Sequence, residues 1–336
     1  DITLTGHAIE ARLYTEDPAQ DFLPSSGSVD LWSPASGVGV RIDSGICTGQ
    51  EISPFYDPMV AKVIAHGPTR DIARLRLIEA LNATVLFGAT HNSDFLVACL
   101  EKRCFAEGQA TTAFIAEEFA EGETSSPEPD FTDSAVAAAL QLSLEYEELY
   151  DRAVIVAPQL RNWASASPLI SRKKYTHSEV TTHDLSVTPL GDKLYKVFNA
   201  DNEVSVELIS MDGTTAHISI DDMQHTVRYM TPRVGKIYLS MNGRANVYED
   251  QILLDGQQNE VGGSGKVVAP MHGLLLEIRV SAGDKVASGQ TLAVLEAMKM
   301  HYEIVADASG TVTEVLVESN NQVAADDLLI DIDTEA

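Results

Sequence analysis

The chain reads Leu274-Leu275-Leu276-Glu277-Ile278-Arg279-Val280, and the pattern of this stretch returns 37 residues later in Thr311-Val312-Thr313-Glu314-Val315-Leu316-Val317. Five positions recur at this one spacing, with Gly273, Glu277, Val280, Val286 and Leu292 matched by Gly310, Glu314, Val317, Val323 and Leu329. A constant spacing with strand-like residues between the shared positions indicates two similar β units in series. We therefore expect residues 266–336 to form a flattened β-barrel with quasi-twofold symmetry.

A lysine between two methionines interrupts this pattern in the run Glu296-Ala297-Met298-Lys299-Met300. The apolar pairs Val294-Leu295 and Ile304-Val305 flank it as strands, so Met298 and Lys299 fall at the tip of a predicted hairpin. A lone Met-Lys-Met is most often an ordinary surface lysine. The surrounding repeat instead favours a side chain presented on a small folded domain.

This region resembles a biotinyl or lipoyl carrier domain over its whole length, and Glu-Ala-Met-Lys-Met resembles the biotin attachment site of biotin-dependent carboxylases. The resemblance implies biotin bound covalently to Lys299, with Met298 and Met300 beside it. Lipoyl domains usually place an acidic and a small residue next to their lysine. Lipoate is therefore the weaker alternative, and biotin protein ligase is an expected partner.

The N-terminal region resembles the C-terminal part of a biotin carboxylase domain in four ordered segments, Gly6–Pro18, Phe22–Gly27, Gly39–Asp43 and Pro54–Lys62. The resemblance implies an ATP-grasp enzyme whose sites for ATP, Mg²⁺ and bicarbonate lie mostly upstream of Asp1. We expect the start of the sequence to be a cut within a longer polypeptide. We also expect this part alone to lack turnover.

Arg41 is the candidate catalytic residue of that region. It follows Gly37-Val38-Gly39-Val40, a glycine-punctuated strand, and a guanidinium held at a strand end suits an oxygen on which negative charge develops. The resemblance implies this role for Arg41 at the ureido oxygen of biotin. The alternative is a surface ion pair with Asp43.

Two helices are expected after the β region of this lobe. Thr69 is the predicted N-cap of a helix whose Ile72, Leu75 and Ile78 share a face. Ser93 is the predicted N-cap of a second helix, and Cys99 is placed in its core face. Residues 121–130 are a linker by composition.

The middle region combines a helix with hairpins. Residues 133–150 are nearly all helix formers, and the apolar first half requires burial on several sides. Alternating runs at 193–197, 204–208, 225–229 and 245–248 are separated by turn residues such as Asp212-Gly213 and Asn242-Gly243. Their order predicts an antiparallel barrel around the helix. It resembles the subunit-docking domain of acyl-CoA carboxylase α subunits.

The expected fold class is thus multidomain α+β. We divide the chain into the C-terminal part of a biotin carboxylase domain (1–120), a linker (121–130), a helix plus β-barrel docking domain (131–255), a linker (256–265) and a biotinyl domain (266–336).

Composition restricts the function. The chain has 23 Lys and Arg against 50 Asp and Glu, a formal net charge of −27, which argues against nucleic acid or an anionic membrane as a partner. Cys47, Cys99 and Cys104 form no C-x-x-C pattern, and the histidines lack metal-ligand spacing. We expect no metal site in the chain and a reducing location, the cytoplasm or, in a eukaryote, the mitochondrial matrix.

The order of the regions favours one class of carboxylase. Only about 150 residues separate the two resembling regions, too few for a carboxyltransferase domain, so transfer to an acyl-CoA is expected on a separate β subunit. Arg161-Asn162-Trp163 and Val85–Gly88 favour a 3-methylcrotonyl-CoA or geranyl-CoA carboxylase. A propionyl-CoA or acetyl-CoA carboxylase and a non-catalytic carrier module are the alternatives.

Overall fold

The structure is a computed structural model, and it describes residues 3–53, 55–120, 124, 126–152, 169–178, 181–191, 193–258, 266–269, 273–297, 300–306, 309–324 and 327–333. The chain divides into two compact units, one of 1–81, 86–125 and 261–336 and the other of 82–85 and 126–260. Within the described ranges, no helix is long and apolar enough to cross a membrane.

The N-terminal lobe is built on a three-stranded sheet in the order β1-β8-β6, with three small two-stranded pairs beside it. Its elements are β1 (His7–Tyr14), β2 (Glu16–Asp17), β3 (Leu23–Pro24), β4 (Gly27–Ser28), β5 (Leu31–Ser33), β6 (Val40–Ser44), β7 (Glu51–Ile52), β8 (Met59–Gly67), α1 (Arg70–Ala83), β9 (Val85–Phe87), α2 (Ser93–Glu101), α3 (Arg103–Ala106) and α4 (Phe114–Glu118).

Helix α1 packs on the sheet with a face that differs in part from the one predicted. Its buried residues are Ala73, Leu77, Ala80 and Leu81, which meet apolar residues of β1 and β8. Of the three residues predicted to share a face, Ile72 and Leu75 are 38% and 52% exposed, whereas Ile78 is partly buried against this core. The predicted face is therefore only partly the inner one. Small alanines allow the helix to lie close to the sheet, and a count of large apolar residues does not detect that face.

The two predicted caps had different outcomes. The Thr69 hydroxyl accepts a hydrogen bond from the Ile72 amide at 3.3 Å, which confirms that cap. The second cap was wrong, because Ser93 is already the first residue of α2 and Asn92 is its N-cap. Asn92 accepts instead from the Tyr14 amide at 3.0 Å and so ties α2 to β1.

The middle region is an eight-stranded antiparallel sheet in sequence order around one helix. Its elements are α5 (Phe131–Arg152), β10 (Ser171–Thr176), β11 (Thr182–Pro189), β12 (Leu194–Phe198), β13 (Glu203–Asp212), β14 (Thr215–Ile220), β15 (Met223–Arg233), β16 (Lys236–Met241), β17 (Arg244–Glu249) and α6 (Gln251–Gln258). The four predicted runs fall in β12, β13, β15 and β17. The other four strands were not identified from the sequence.

Helix α5 has no solvent-facing side in its first half. The residues from Ala135 to Leu140 are completely buried, in one cluster with inward side chains of all eight strands, including Tyr175 of β10 and Tyr248 of β17. Asp130 and Asp133 cap the helix reciprocally, each carboxylate accepting from the other's backbone amide at 2.9 and 3.2 Å. The predicted burial on several sides is confirmed, since alanines leave room for the surrounding strands.

The C-terminal region consists of two four-stranded sheets with identical topology, ordered β18-β25-β23-β20 and β22-β21-β19-β24. The strands are β18 (Lys266–Val268), β19 (Gly273–Ile278), β20 (Lys285–Val286), β21 (Thr291–Ala297), β22 (Met300–Val305), β23 (Gly310–Val315), β24 (Gln322–Val323) and β25 (Leu328–Asp333). A shift of 37 residues carries each sheet onto the other. The predicted quasi-twofold flattened barrel is confirmed.

The repeat extends to single hydrogen bonds. The amide of Gly283 donates to Val312 at 2.7 Å, and its counterpart Asn320 donates to Leu275 at 2.6 Å. Gly273 and Gly310 are both required by close approach, because an added Cβ would meet the carbonyl oxygens of Glu296 and Asp333 respectively. The glycines that set the sequence repeat therefore mark equivalent contacts between strands.

Candidate functional site

The hairpin β21–β22 brackets the predicted attachment site. Its register pairs Leu295 with Tyr302, Glu296 with His301 and Ala297 with Met300. Met298 and Lys299 lie between Ala297 and Met300 in the sequence and outside the described residues. The side chain of Met300, the third predicted site residue, is not described.

The base of this hairpin is anchored in the core. Leu292, Ala293 and Leu295 of β21 are completely buried, and Ile304 of β22 is nearly so. On the outer side, Arg279 pairs with Glu277 at 3.1 Å and with Glu303 at 3.5 Å, and Thr291 donates to Glu303 at 3.2 Å. Strands fixed in this way form a rigid platform beneath the segment that holds Lys299, as a presented lysine requires.

Arg41 lies on β6 and makes the ion pair that was the alternative to a catalytic role. Its Nε and Nη2 donate to the two carboxylate oxygens of Asp43 at 2.9 and 2.8 Å, and its side chain is 73% exposed. The hydrogen bond from Arg41 lowers the pKa of Asp43. A guanidinium already engaged by a neighbouring carboxylate, in water, is a weakly positioned oxyanion donor. In the described residues the geometry thus favours the surface ion pair.

An apolar cavity of about 400 Å³ lies between β1 and α2, and no sequence pattern predicted it. Phe22, Phe95 and Phe105 form much of its wall, and Arg12 stands on its polar side, 3.3 Å from Glu10. Spacing along β1 places Glu10 and Arg12 outward but does not identify what they face.

Polar groups on the same wall are linked by Asn92. Its side-chain nitrogen donates to Glu16 at 2.8 Å, and burial raises the pKa of that carboxyl. Cys99 also lines the cavity and is half-buried rather than a full core residue. Burial raises the pKa of the Cys99 thiol to about 11, so the group is protonated and unreactive near neutral pH.

Two family models match the chain. The biotin carboxylase C-terminal domain covers residues 10–117, and the biotin–lipoyl domain, described as a biotin-requiring enzyme, covers residues 265–332. The chain therefore contains the C-terminal domain of a biotin carboxylase and a biotin–lipoyl domain, which defines its class.

Two curated proteins and one solved structure are similar to this chain in sequence. The chain is 30% identical to the propionyl-CoA carboxylase alpha chain of Homo sapiens, over 99% of this chain and 47% of that protein. It is 28% identical to the methylcrotonoyl-CoA carboxylase subunit alpha of Mus musculus, over 100% of this chain and 48% of that protein. Among solved structures, the biotin carboxylase subunit of pyruvate carboxylase matches 38% of this chain and 28% of its own, at 30% identity and a TM-score of 0.36.

The chain is thus a relative of acyl-CoA carboxylase α chains, and it spans about half the length of the curated relatives that it matches.

Proposed function

We propose that this chain is part of the biotin-bearing α subunit of an ATP- and bicarbonate-dependent acyl-CoA carboxylase, with biotin attached to Lys299. Biotin, when bound, supplies the ureido nitrogen that takes up carbon dioxide. The protein's own contribution is to hold the attachment lysine on a rigid hairpin and to keep it tethered, which raises the effective concentration of the group at each site it visits.

The observation that carries this proposal is the register of β21 and β22. Pairing continues to Ala297 opposite Met300, so the ordered strands reach both neighbours of Met298-Lys299. The buried core beneath them would prevent the hairpin from yielding when the lysine enters a ligase or a carboxylase site. The match to a biotin–lipoyl domain over 265–332 supports the same assignment.

The test is biotinylation of the whole chain expressed with biotin ligase. We expect a positive streptavidin blot that disappears in Lys299→Arg, while Lys285→Arg, in the same domain, keeps the signal. A signal that persists in Lys299→Arg contradicts the assignment. Lipoate at Lys299 would give a modified lysine in the intact mass but no streptavidin binding.

The role of Arg41 stays a prediction, and its ion pair with Asp43 counts against it. If the guanidinium stabilises charge on the ureido oxygen, Arg41→Ala in the complete subunit slows biotin carboxylation by about two to three orders of magnitude. The rate of biotin carboxylation in Arg41→Ala is best compared with that in Arg12→Ala, because Arg12 is the arginine that borders the cavity. Full activity in a folded Arg41→Ala protein assigns Arg41 to the surface.

We also propose the division of the chain into 1–120, 131–255 and 266–336, and binding of the carboxyltransferase β subunit by residues 131–255. Eight strands around a buried helix make this region a stable structure without any of the chemistry of the two regions beside it. Deleting 131–255 from the full subunit is expected to abolish co-purification with the β subunit. If gel filtration shows that the complex still forms after the deletion, the barrel only separates the two regions beside it and does not bind the β subunit.

The identity of the acyl-CoA substrate is the part of the proposal that an assay has to decide. The preference for 3-methylcrotonyl-CoA or geranyl-CoA rests on two short sequence runs, one of which lies at 161–163, outside the described residues. Relatives of the propionyl and methylcrotonyl types match at nearly equal identity and do not decide between them. Assay of the assembled α and β subunits with a panel of acyl-CoA substrates separates these alternatives. The proposal also includes ATP with Mg²⁺ as cosubstrate and biotin ligase as a partner. The proposed location is the cytoplasm or the mitochondrial matrix.

A further inference from the structure

The backbone pairing of the barrel stops at one line. Neighbouring strands from β10 to β17 are paired along their lengths, with register shifts in the β13–β14 and β15–β16 pairs. Among the described residues, β10 and the residue after β17 share a single isolated bridge, Tyr175 with Asp250. We call this line the seam, formed by residues 171–177 on one side and 244–250 on the other. The barrel is therefore closed there mainly by side chains.

One end of the seam is held by a buried lysine. Lys173 Nζ lies 2.7 Å from Glu145 of α5 and 3.1 Å from Asp250, and the side chains of Lys173 and Asp250 are 4% and 2% exposed. Asp250 also accepts from the backbone amides of Lys174 and Ile252 at 3.3 and 3.2 Å. This end joins β10, α5 and the start of α6 through one buried lysine and two carboxylates.

The other end is held by two histidines on one hydroxyl. Ser134 Oγ, which is completely buried at the start of α5, lies 2.7 Å from His183 Nδ1 and 3.2 Å from His177 Nε2. The two imidazole rings are 5.2 Å apart, and the ring of Tyr248 lies 5.3 Å from His177. A serine hydroxyl has one proton, so it donates to one imidazole while the other imidazole donates to it.

This arrangement accommodates at most one charged imidazole. If both were protonated, both ring nitrogens would have to donate to Ser134 Oγ, and the hydroxyl proton would lose its acceptor. Two cations would then face each other at 5.2 Å in a half-buried site. A second proton would therefore weaken the contacts of Ser134 at this end of the seam.

Charged groups from each neighbouring element face the pair. Glu128 precedes α5 and attracts positive charge on both histidines, and Asp133 of α5 does so on His183 but is itself paired with Arg244 of β17 at 3.3 Å. The net result is that burial, followed by the charge of His183, lowers the pKa of His177. The unfolded or opened state therefore takes up the proton more readily, and stability of the closed seam falls as pH drops below the ordinary histidine value.

We propose that the seam is a latch that opens from its histidine end below neutral pH, while the Lys173 end keeps the barrel assembled. Opening separates β10 from β17 and admits water to the side of α5 between them. It also relieves a polar group on α5, because Gln141 Nε2 is buried without a hydrogen-bond partner in the described structure. When the seam opens, the side-chain amide of Gln141 can donate a hydrogen bond to water.

The test is hydrogen exchange of the whole chain at about pH 7.5 and about pH 5.5, corrected for intrinsic exchange rates, with strands β13 and β14 as the reference within the same barrel. Lowering the pH is expected to reduce protection of the amides in β10 and β17 relative to that reference by up to about tenfold, the limit for one proton excluded from the closed seam over a change of about one pH unit. Equal relative protection at both pH values overturns the proposal.

Two variants locate the effect. His177→Gln keeps a side-chain donor near Ser134 but cannot be protonated, so its seam is expected to lose the pH dependence. His217→Gln is the matched control, because His217 lies on β14 with its Nδ1 3.0 Å from Thr226 and away from the seam, and it should behave as the wild type does. A pH dependence that persists in His177→Gln contradicts the latch. If that variant does not fold, the wild-type comparison of the two sets of strands still decides.

Discussion

The two four-stranded sheets of the C-terminal region, together called the sandwich from here on, and the eight-stranded middle barrel are both antiparallel. They are held together in different ways. In the sandwich, each half repeats contacts of the other at a spacing of 37 residues. Gly273 matches Gly310, the register shifts in β19 and β23 match, and the turn amide of Gly283 matches that of Asn320. In the barrel, no such repeat exists among the described strands, and closure depends on Lys173, Ser134 and Asp250, which are far apart in sequence. Local repetition therefore specifies the first fold, and a few distant polar contacts complete the second.

The largest effect that would test this contrast is expected from Lys173→Met. Removing the lysine leaves the Asp250 carboxylate buried beside Glu145 without a cation, and breaking a buried pair in this way costs about 3–5 kcal/mol. Hydrogen exchange in increasing urea reports the two regions separately, and only the barrel should lose stability.

Lys196→Met is the control, because the Lys196–Glu203 pair is on the surface and contributes about 1 kcal/mol or less. Equal losses from both variants would mean that the barrel does not depend on its seam.

The next effect in size concerns the symmetry of the sandwich. Gly273→Ala would bring a Cβ within 2.7 Å of the Glu296 carbonyl oxygen, and Gly310→Ala makes the equivalent clash with Asp333. We expect each to destabilise the sandwich by about 1–3 kcal/mol, in the range for overpacking, and by similar amounts. Urea unfolding followed at the sandwich amides measures both.

Gly45→Ala, with open space around the new methyl group, should change stability by about 0.5 kcal/mol or less. If Gly273→Ala and Gly310→Ala differ widely, the two halves are alike in topology but not in energetics.

The smallest effect concerns two equivalent turns of the sandwich whose hydrogen-bond acceptors differ in charge. Gln290 and Asp327 occupy equivalent turns and accept hydrogen bonds from the amides of Ala287 and Ala324 at 3.1 and 2.7 Å. We expect Asp327→Ala to cost about 1 kcal/mol and Gln290→Ala about half of that, because a charged acceptor makes the stronger bond. Thermal unfolding in low and high salt checks the order, and the two costs would be equal if the charge made no contribution.

The sandwich was predicted from sequence nearly element by element, because its glycines and turns recur where the backbone contacts recur. The barrel was predicted only in part. The strands β10, β11, β14 and β16 lack a strong turn signal at one end or mix polar residues into the inner face, as Lys173 and Ser240 do. Those polar residues are inside because partners from other elements satisfy them, and no local pattern shows such partners.

The candidate sites divide in a similar way. The register around Lys299 follows from flanking apolar pairs, which are local. The Asp57 carboxylate also makes a local contact, accepting from the Met59 amide at 2.9 Å. Arg41 and the cavity beside Arg12 depend on what faces each guanidinium across the fold, and the strand pattern gives only the side on which a residue lies. The partly wrong inner face of α1 has the same cause, because close packing of alanines on a sheet is a property of two surfaces together.

The burial of the first half of α5 has a consequence for how the chain is made. The helix ends at Arg152, whereas the last strand that surrounds it ends at Glu249. Roughly a hundred residues must leave the ribosome in between, which takes about 5–20 seconds at about 5–20 residues per second. For that interval an alanine- and leucine-rich helix has no strands to cover it, so nascent chains stalled within β10–β17 are the ones that chaperones should retain most strongly.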